Sequence, residues 1–141
     1  MAQAPVADEK AAVVAAVQGT FDAMAAHDGA AIRALMLESA QISSVRGDGT
    51  VSSMTVEQFA TRIGASKDGI LERMWKPVVL VSGRLATVWV EYDFHRGGKF
   101  SHCGVDAVHL LKTAAGWRLA SIAYTMETSG CEPSPLGPVA K

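Results

Sequence analysis

Apolar residues recur every three to four positions over residues 8–26, with Val14, Val17, Phe21 and Met24 on one face among alanines, and this spacing predicts a helix. Asp28 is a natural N-cap for a second helix over residues 29–39, with Ile32, Leu35 and Met36 inward. The two helices then form a hairpin about His27-Asp28. Residues 42–45 and 51–54 flank Arg46-Gly47-Asp48-Gly49 and read as a short strand pair. Thr55-Val56-Glu57-Gln58 matches a capping box and opens a short helix that buries Phe59 and Ile63. Near Asp68 the period changes from helical to alternating. Residues 70–81, 85–95, 100–112 and 117–126 read as four strands, separated by Ser82-Gly83-Arg84, Gly97-Gly98 and Thr113-Ala114-Ala115-Gly116. Pro77 lacks an N–H and belongs at an edge or a bulge. Helices first and a long meander after them predict an α+β domain with helices on one face of an antiparallel sheet.

The segment VEYDFHRGGKFSHCGVD, residues 90–106, gathers polar side chains around a Gly-Gly loop whose two positions suit the positive φ of a tight hairpin. Uninterrupted pairing from that loop sets His95 opposite Phe100, Asp93 opposite His102, Glu91 opposite Gly104 and Trp89 opposite Asp106. One face then carries Trp89, Glu91, Asp93, His95, Phe100, His102 and Asp106. The other carries Val88, Val90, Tyr92, Phe94, Cys103, Val105 and Ala107. The polar face has two readings. It is either the solvated side of the sheet, or the lining of a pocket, which the large apolar Trp89, Phe100, Val108 and Leu110 on it favour. On the pocket reading, the opposite face with Val88, Val90, Val105 and Ile122 packs against a second copy, giving a homodimer.

Composition narrows the class. A chain of 141 residues, 49% hydrophobic and 19% charged, fits one folded domain. The domain is expected over residues 8–128, with an irregular, mobile tail over 129–141 that holds Pro133, Pro135, Gly137 and Pro138. A net charge of −1 without a basic run argues against a nucleic-acid partner. No apolar stretch approaches a membrane span. The start, MAQAPVADEK, lacks the regions of a signal peptide, which reads as cytoplasmic. It is also what an Ala-x-Ala cleavage would leave of an exported protein.

The hairpin ending in Ala26-His27-Asp28-Gly29 and the run LATVWVEYDFHRGGKFSHCGVDAVHLLKTAAGWRLASIAYT resemble the nuclear transport factor 2-like superfamily over residues 8–128. The nearest likeness is to the SnoaL-like polyketide cyclases and to small bacterial proteins known as putative lumazine-binding. The resemblance implies a cone, with a cystatin-like curved sheet wrapping helices around a pocket open at one end, and dimers through the convex sheet face. The superfamily holds isomerases, dehydratases, cyclases and non-enzymatic binders, so fold does not choose among them. Asp106, four residues before Leu110 and ahead of Gly116-Trp117, is similar to the pocket aspartate with which ketosteroid isomerases of the superfamily stabilise an oxyanion. Their catalytic tyrosine has no counterpart here, since Tyr92 and Tyr124 fall on the other face in the register above.

The chemistry such a pocket supports is proton transfer. Asp93 beside His102 would raise the imidazole's basicity and fix its tautomer, and burial would bring Asp106 toward neutrality. The same Asp93–His102 contact also reads as an ordinary cross-strand pair. Glu91, Trp89, Trp75, Phe59 and Phe100 are the candidate ligand-lining residues for a partly apolar or aromatic small molecule, though the aromatic ones also read as core. Without a His-x-His or His-Glu-x-x-His element no metal is expected, and no cofactor is called for. Two functions stay open: a small-molecule binder, and a cofactor-free isomerase, dehydratase or cyclase using Asp106 with Asp93–His102. A pure interaction module fits less well, because it leaves the polar face unused.

The two cysteines bear on the compartment. With the 113–116 turn in place, Cys103 lies opposite Met126, and Cys131 follows five residues later. The intervening residues can bring the two Cα atoms within the roughly 4.4–6.8 Å that a disulfide needs. The alternatives are two free thiols in a reducing compartment and a bond in an oxidising one.

Overall fold

Local capping starts the helices where the sequence places them. In the computed structural model, which describes residues 5–139, Asp28 Oδ1 accepts from the Ala31 N–H at 3.0 Å. Thr55 and Gln58 form a reciprocal box at 3.0 and 3.1 Å. The first four residues, on which the export reading rests, and the last two of the tail lie outside the described residues. In chain order the elements are α1 (Val6–Ala25), α2 (Gly29–Leu35), β1 (Met36–Arg46), β2 (Val51–Thr55), α3 (Val56–Ala65), β3 (Ile70–Ser82), β4 (Leu85–Arg96), β5 (Lys99–Thr113) and β6 (Gly116–Met126). The second helix stops four residues short of its expected end. Met36 turns extended there because β1 pairs with β6 over Met36↔Leu119 and Gln41↔Ser121 onward, and that tertiary pairing outweighs the helical propensity of Met-Leu-Glu.

The fold is α+β, of the nuclear transport factor 2-like, cystatin-like kind, with three helices on a curved six-stranded sheet. Strand order is β2-β1-β6-β5-β4-β3, all antiparallel except the parallel β1–β6 pair, so the sheet is mixed and not purely antiparallel as the meander suggests. The core lies between the helices and the concave face. Val13, Val17 and Phe21 of α1 and Phe59 and Ile63 of α3 meet Val88 and Val90 of β4, Val108 and Leu110 of β5, and Leu119 and Ile122 of β6. Glu9 pins α1 to the sheet, accepting from Lys112 Nζ at 2.7 Å and Trp117 Nε1 at 3.0 Å. No described helix is long and apolar enough to cross a membrane.

The Gly97-Gly98 loop forms as its composition requires, with φ of 61° and 77°. The pairing beyond it departs from the uninterrupted register. His95 faces Phe100 but Phe94 faces His102, leaving Ser101 as the extra residue of a bulge. Every later β5 residue is therefore displaced by one position. Asp93 lies opposite Cys103 and Val90 opposite Asp106, so the expected Asp93–His102 pair does not form. A second bulge, at Ala120, shifts β6 in turn. Of the expected dimer face, Val88 and Val90 of β4 and Ile122 of β6 point inward, 0%, 1% and 7% exposed, while Val105 of β5 lies on the convex side. The three inward residues cannot form a dimer surface. The convex face instead shows Trp89, Val78, Leu80, Val45 and Val51 to solvent.

The tail is tethered across this convex face. Cys103 and Glu127 exchange backbone hydrogen bonds of 2.9 and 2.8 Å, and Cys103 is bonded to Cys131 with Cα atoms 6.2 Å apart. Farther along, Gly137 O accepts from Arg73 Nη1 at 2.9 Å.

Candidate functional site

Between α1, α3 and the concave sheet lies a cavity of about 390 Å³. Its walls are mostly apolar, including Phe21, Met24, Phe59, Ile63, Phe94 and Ile122, and its polar groups are few: Glu72, His102, Asp106 and Tyr124 within, Arg46, Arg62 and Arg96 beside them. An apolar pocket with sparse convergent polar groups is the usual form of a small-molecule site.

Glu72 and Asp106 face each other from β3 and β5. Burial pushes the Asp106 carboxyl up to about 6, opposed by a hydrogen bond from Glu72. Burial also holds Glu72 well above the ordinary carboxylate range, reinforced by the charge of Asp106 and the hydrogen bond to it. Two carboxyls so placed cannot both ionise cheaply, and the pair holds one proton between them. Asp106 is 2% exposed, and apart from the Glu72 carboxyl no group of the described residues donates to its buried Oδ2.

His102 stacks on Phe94 with ring centroids 4.7 Å apart and meets Tyr92 edge-on at 5.7 Å. Burial pulls its imidazole down to about 4, helped by the charges of Arg96 and Arg46. It is therefore neutral at physiological pH, and without Asp93 at its side it has no carboxylate to raise its basicity. Ser101 Oγ lies 3.0 Å from its Nδ1. Burial raises Tyr124, which sits directly across from Asp106 in the β5–β6 ladder. Tyr92 also faces inward, but its hydroxyl is committed to Thr125 O at 2.5 Å.

The sequence-derived candidates separate into three places. Asp106, His102 and Phe59 line the cone cavity. Asp93, Glu91, Trp75 and Phe100 lie on the convex side, around an open hollow of about 960 Å³ beneath the tail. Trp89 is apart from both, 57% exposed in an apolar groove with Val45, Val51, Ala107 and Ala123. On the convex side, Arg73 grips Asp93 through Nε–Oδ1 at 2.9 Å and Nη2–Oδ2 at 2.5 Å, and His95 Nε2 stands 3.4 Å from the same carboxylate. Burial opposes ionisation of Asp93, but the hydrogen bonds from Arg73 and the proximity of His95 outweigh it and hold the group below its ordinary value. A carboxylate saturated in this way is a structural anchor. Among the described residues, no three His, Cys, Asp or Glu side chains converge as ligands for a metal ion.

Sequence reasoning missed Glu72, Tyr124 and the three arginines. Glu72 carries a signal in hindsight: it interrupts the inward-facing series Ile70, Glu72, Met74 with a carboxylate.

A family model described as "Putative lumazine-binding" matches residues 8–125. No curated protein matches the chain. Among solved structures, the chain is similar to a nuclear transport factor 2-like protein of unknown function from Silicibacter pomeroyi, with 20% identity over 87% of this chain and 99% of that one and a TM-score of 0.69. A nuclear transport factor 2-like protein of unknown function from Shewanella baltica is 16% identical over 94% and 100%, with a TM-score of 0.68. A putative dehydratase of the same fold family from Streptomyces avermitilis is 18% identical over 97% and 100%, with a TM-score of 0.70. At these identities the likeness concerns the fold.

Proposed function

The chain belongs to the Putative lumazine-binding family, and from that premise we propose that it binds a small, partly apolar or aromatic molecule in the cone cavity, with the Asp106–Glu72 pair meeting the ligand's polar group. The observation that carries this reading is Asp106 Oδ2, a buried carboxylate oxygen at the cavity wall that no group of the described residues other than the Glu72 carboxyl is placed to satisfy. Such an atom costs stability unless something donates to it. A ring N–H or a hydroxyl of a bound molecule would do so, while Phe59, Phe94 and Ile122 cover its apolar faces. Lumazine, a bicyclic heteroaromatic with ring N–H donors, is the first probe to titrate, followed by other aromatic lactams. Expected are shifts in the NMR signals of Ile63, Ile122 and Phe94, and an affinity roughly tenfold lower in Asp106→Asn, the worth of one charge-assisted hydrogen bond. Binding that ignores Asp106→Asn would sink the reading.

A second reading is acid–base catalysis without a cofactor, an isomerase, dehydratase or cyclase. It is favoured by the position of Asp106 near 6, within the range where a general base works at neutral pH. Asp106 would take a proton from carbon beside a carbonyl, with neutral His102 and Tyr124 as hydrogen-bond donors to the developing oxyanion. Deuterium uptake by an aryl ketone in heavy water, abolished in Asp106→Asn, would support it; no uptake across a ketone panel would leave the binder alone standing.

Two further expectations belong to the same proposal. The Cys103–Cys131 bond fits an oxidising compartment. The exposed Trp89, Val78 and Leu80 fit self-association through the convex face. Light scattering should then report a dimer that Trp89→Glu dissociates, and a wild-type monomer at high concentration would remove that part.

A further inference from the structure

We infer that the cone cavity selects an anionic ligand, an apolar or aromatic body carrying one carboxylate, sulfonate or phosphate head, with the head seated on Arg46, Arg62 and Arg96. The inference rests on the binding reading above and adds the charge class of the molecule bound.

Three guanidiniums from three separate elements, the end of β1, the last turn of α3 and the end of β4, line one cavity. Of the chain's other arginines, Arg84 and Arg118 bond backbone carbonyls, and two show what ion-paired guanidiniums look like here. Arg33 makes two bonds of 2.8 Å to Glu57, and Arg73 grips Asp93 with the same fork. Arg46 and Arg62 make no ion pair among the described residues. The carboxylate nearest Arg46 in sequence, Asp48, is engaged with the Thr50 N–H at 2.9 Å. Arg62 has only a 3.6 Å contact to Met54 Sδ. Arg96 reaches Asp68 at 3.8 Å, but both side chains are at least half exposed, so that contact is screened and exchangeable.

The arginines act inward as well as toward solvent. The charges of Arg96 and Arg46 are felt at His102, and that of Arg62 at Tyr124, both on the inner wall. Among the lining residues the carboxylates are Glu72 and Asp106, which share a proton and so present one negative charge between them. The balance inside the cavity is positive. A planar guanidinium fork suits a carboxylate, sulfonate or phosphate better than a neutral group. The two features divide the ligand: its donor group meets Asp106, and its anionic head meets the arginines.

The test uses two probes that share one body. 8-Anilinonaphthalene-1-sulfonate carries the anionic head, and N-phenyl-1-naphthylamine is the same anilinonaphthalene without it. Both are titrated against the full chain, with the methyl signals of Ile63 and Ile122 reporting entry to the cavity. The sulfonate should bind at least about tenfold more tightly, and the preference should shrink as salt rises. In the Arg46→Gln, Arg62→Gln double variant, altered only at exposed side chains, the sulfonate should lose roughly tenfold while the neutral probe stays within about twofold. Equal affinities in the wild type, or a preference that survives the double variant, would overturn the inference and leave the binding reading intact. Neither probe shifting the cavity methyls would overturn both.

Discussion

The carboxyl groups of Glu72 and Asp106 meet in one cavity and couple their ionisation although their strands, β3 and β5, are separated by β4 in the sheet. The contact is possible because the sheet curves around the helices, bringing inward-facing side chains of non-adjacent strands together over the intervening one. Sheet curvature thus creates the site, which no single hairpin contains.

That pair gives stability a defined pH dependence. Asp106 is raised from an ordinary 3.8 to about 6, so folding favours its protonated form. Its contribution is fully present below pH 3.8 and is lost as pH rises through 6. Asp106→Asn should flatten this fall. Denaturation of both proteins across the range should show the variant gaining on the wild type by roughly 2–3 kcal/mol as pH rises from acid to neutral. A constant difference between the two would contradict the burial of Asp106.

His102 runs in the opposite sense. Its imidazole is depressed from 6.5 to about 4, so the stability it contributes is present above pH 6.5 and is lost as pH falls through 4. NMR titration of the ring protons should find it neutral down to about pH 5. A midpoint at the ordinary histidine value would mean that the Phe94 stack does not exclude water.

The sequence made the elements legible and the site only partly so. The change of period at Ile70, the Thr55–Gln58 box and the Gly97-Gly98 loop are local signals, and each appears where its chemistry demands. The parallel β1–β6 pairing joins segments some eighty residues apart and has no local signature. The Ser101 bulge decides the site and was only indirectly legible. Under continuous pairing, the apolar stripe Val88, Val90, Tyr92, Phe94 on β4 and the stripe Val108, Leu110 on β5 fall on opposite faces. One extra residue reunites them. That slip carries His102 and Asp106 into the cone and leaves Asp93 and Glu91 outside.

Asp93 and Arg73 are 8% and 16% exposed at their side chains. Removing one charge leaves the other mostly buried and without its ion-pair partner. Arg73→Met should therefore destabilise by roughly 3–5 kcal/mol, and adding Asp93→Leu should recover much of the loss. Urea denaturation in a double-mutant cycle measures it. Additive losses would show that the pair is solvated.

The Cys103–Cys131 bond joins positions 28 apart in sequence, for which chain-entropy reasoning gives a stabilisation of about 3–4 kcal/mol. Thiol titration of the denatured, unreduced protein should find none free, and two after treatment with a dithiol. The core between the helices and the concave face includes neither Cys131 nor the tail, so the reduced chain should stay folded with a lower melting temperature. Its tail should then come loose, because among the described residues the polar contacts left to hold it are one main-chain bridge and the Arg73–Gly137 hydrogen bond. Hydrogen exchange should show lost protection at Gly137, whose N–H bonds to Ser134 O, and unchanged protection along β4 and β5. Protection lost equally in the strands would mean that the bond supports the whole sheet and not only the tail.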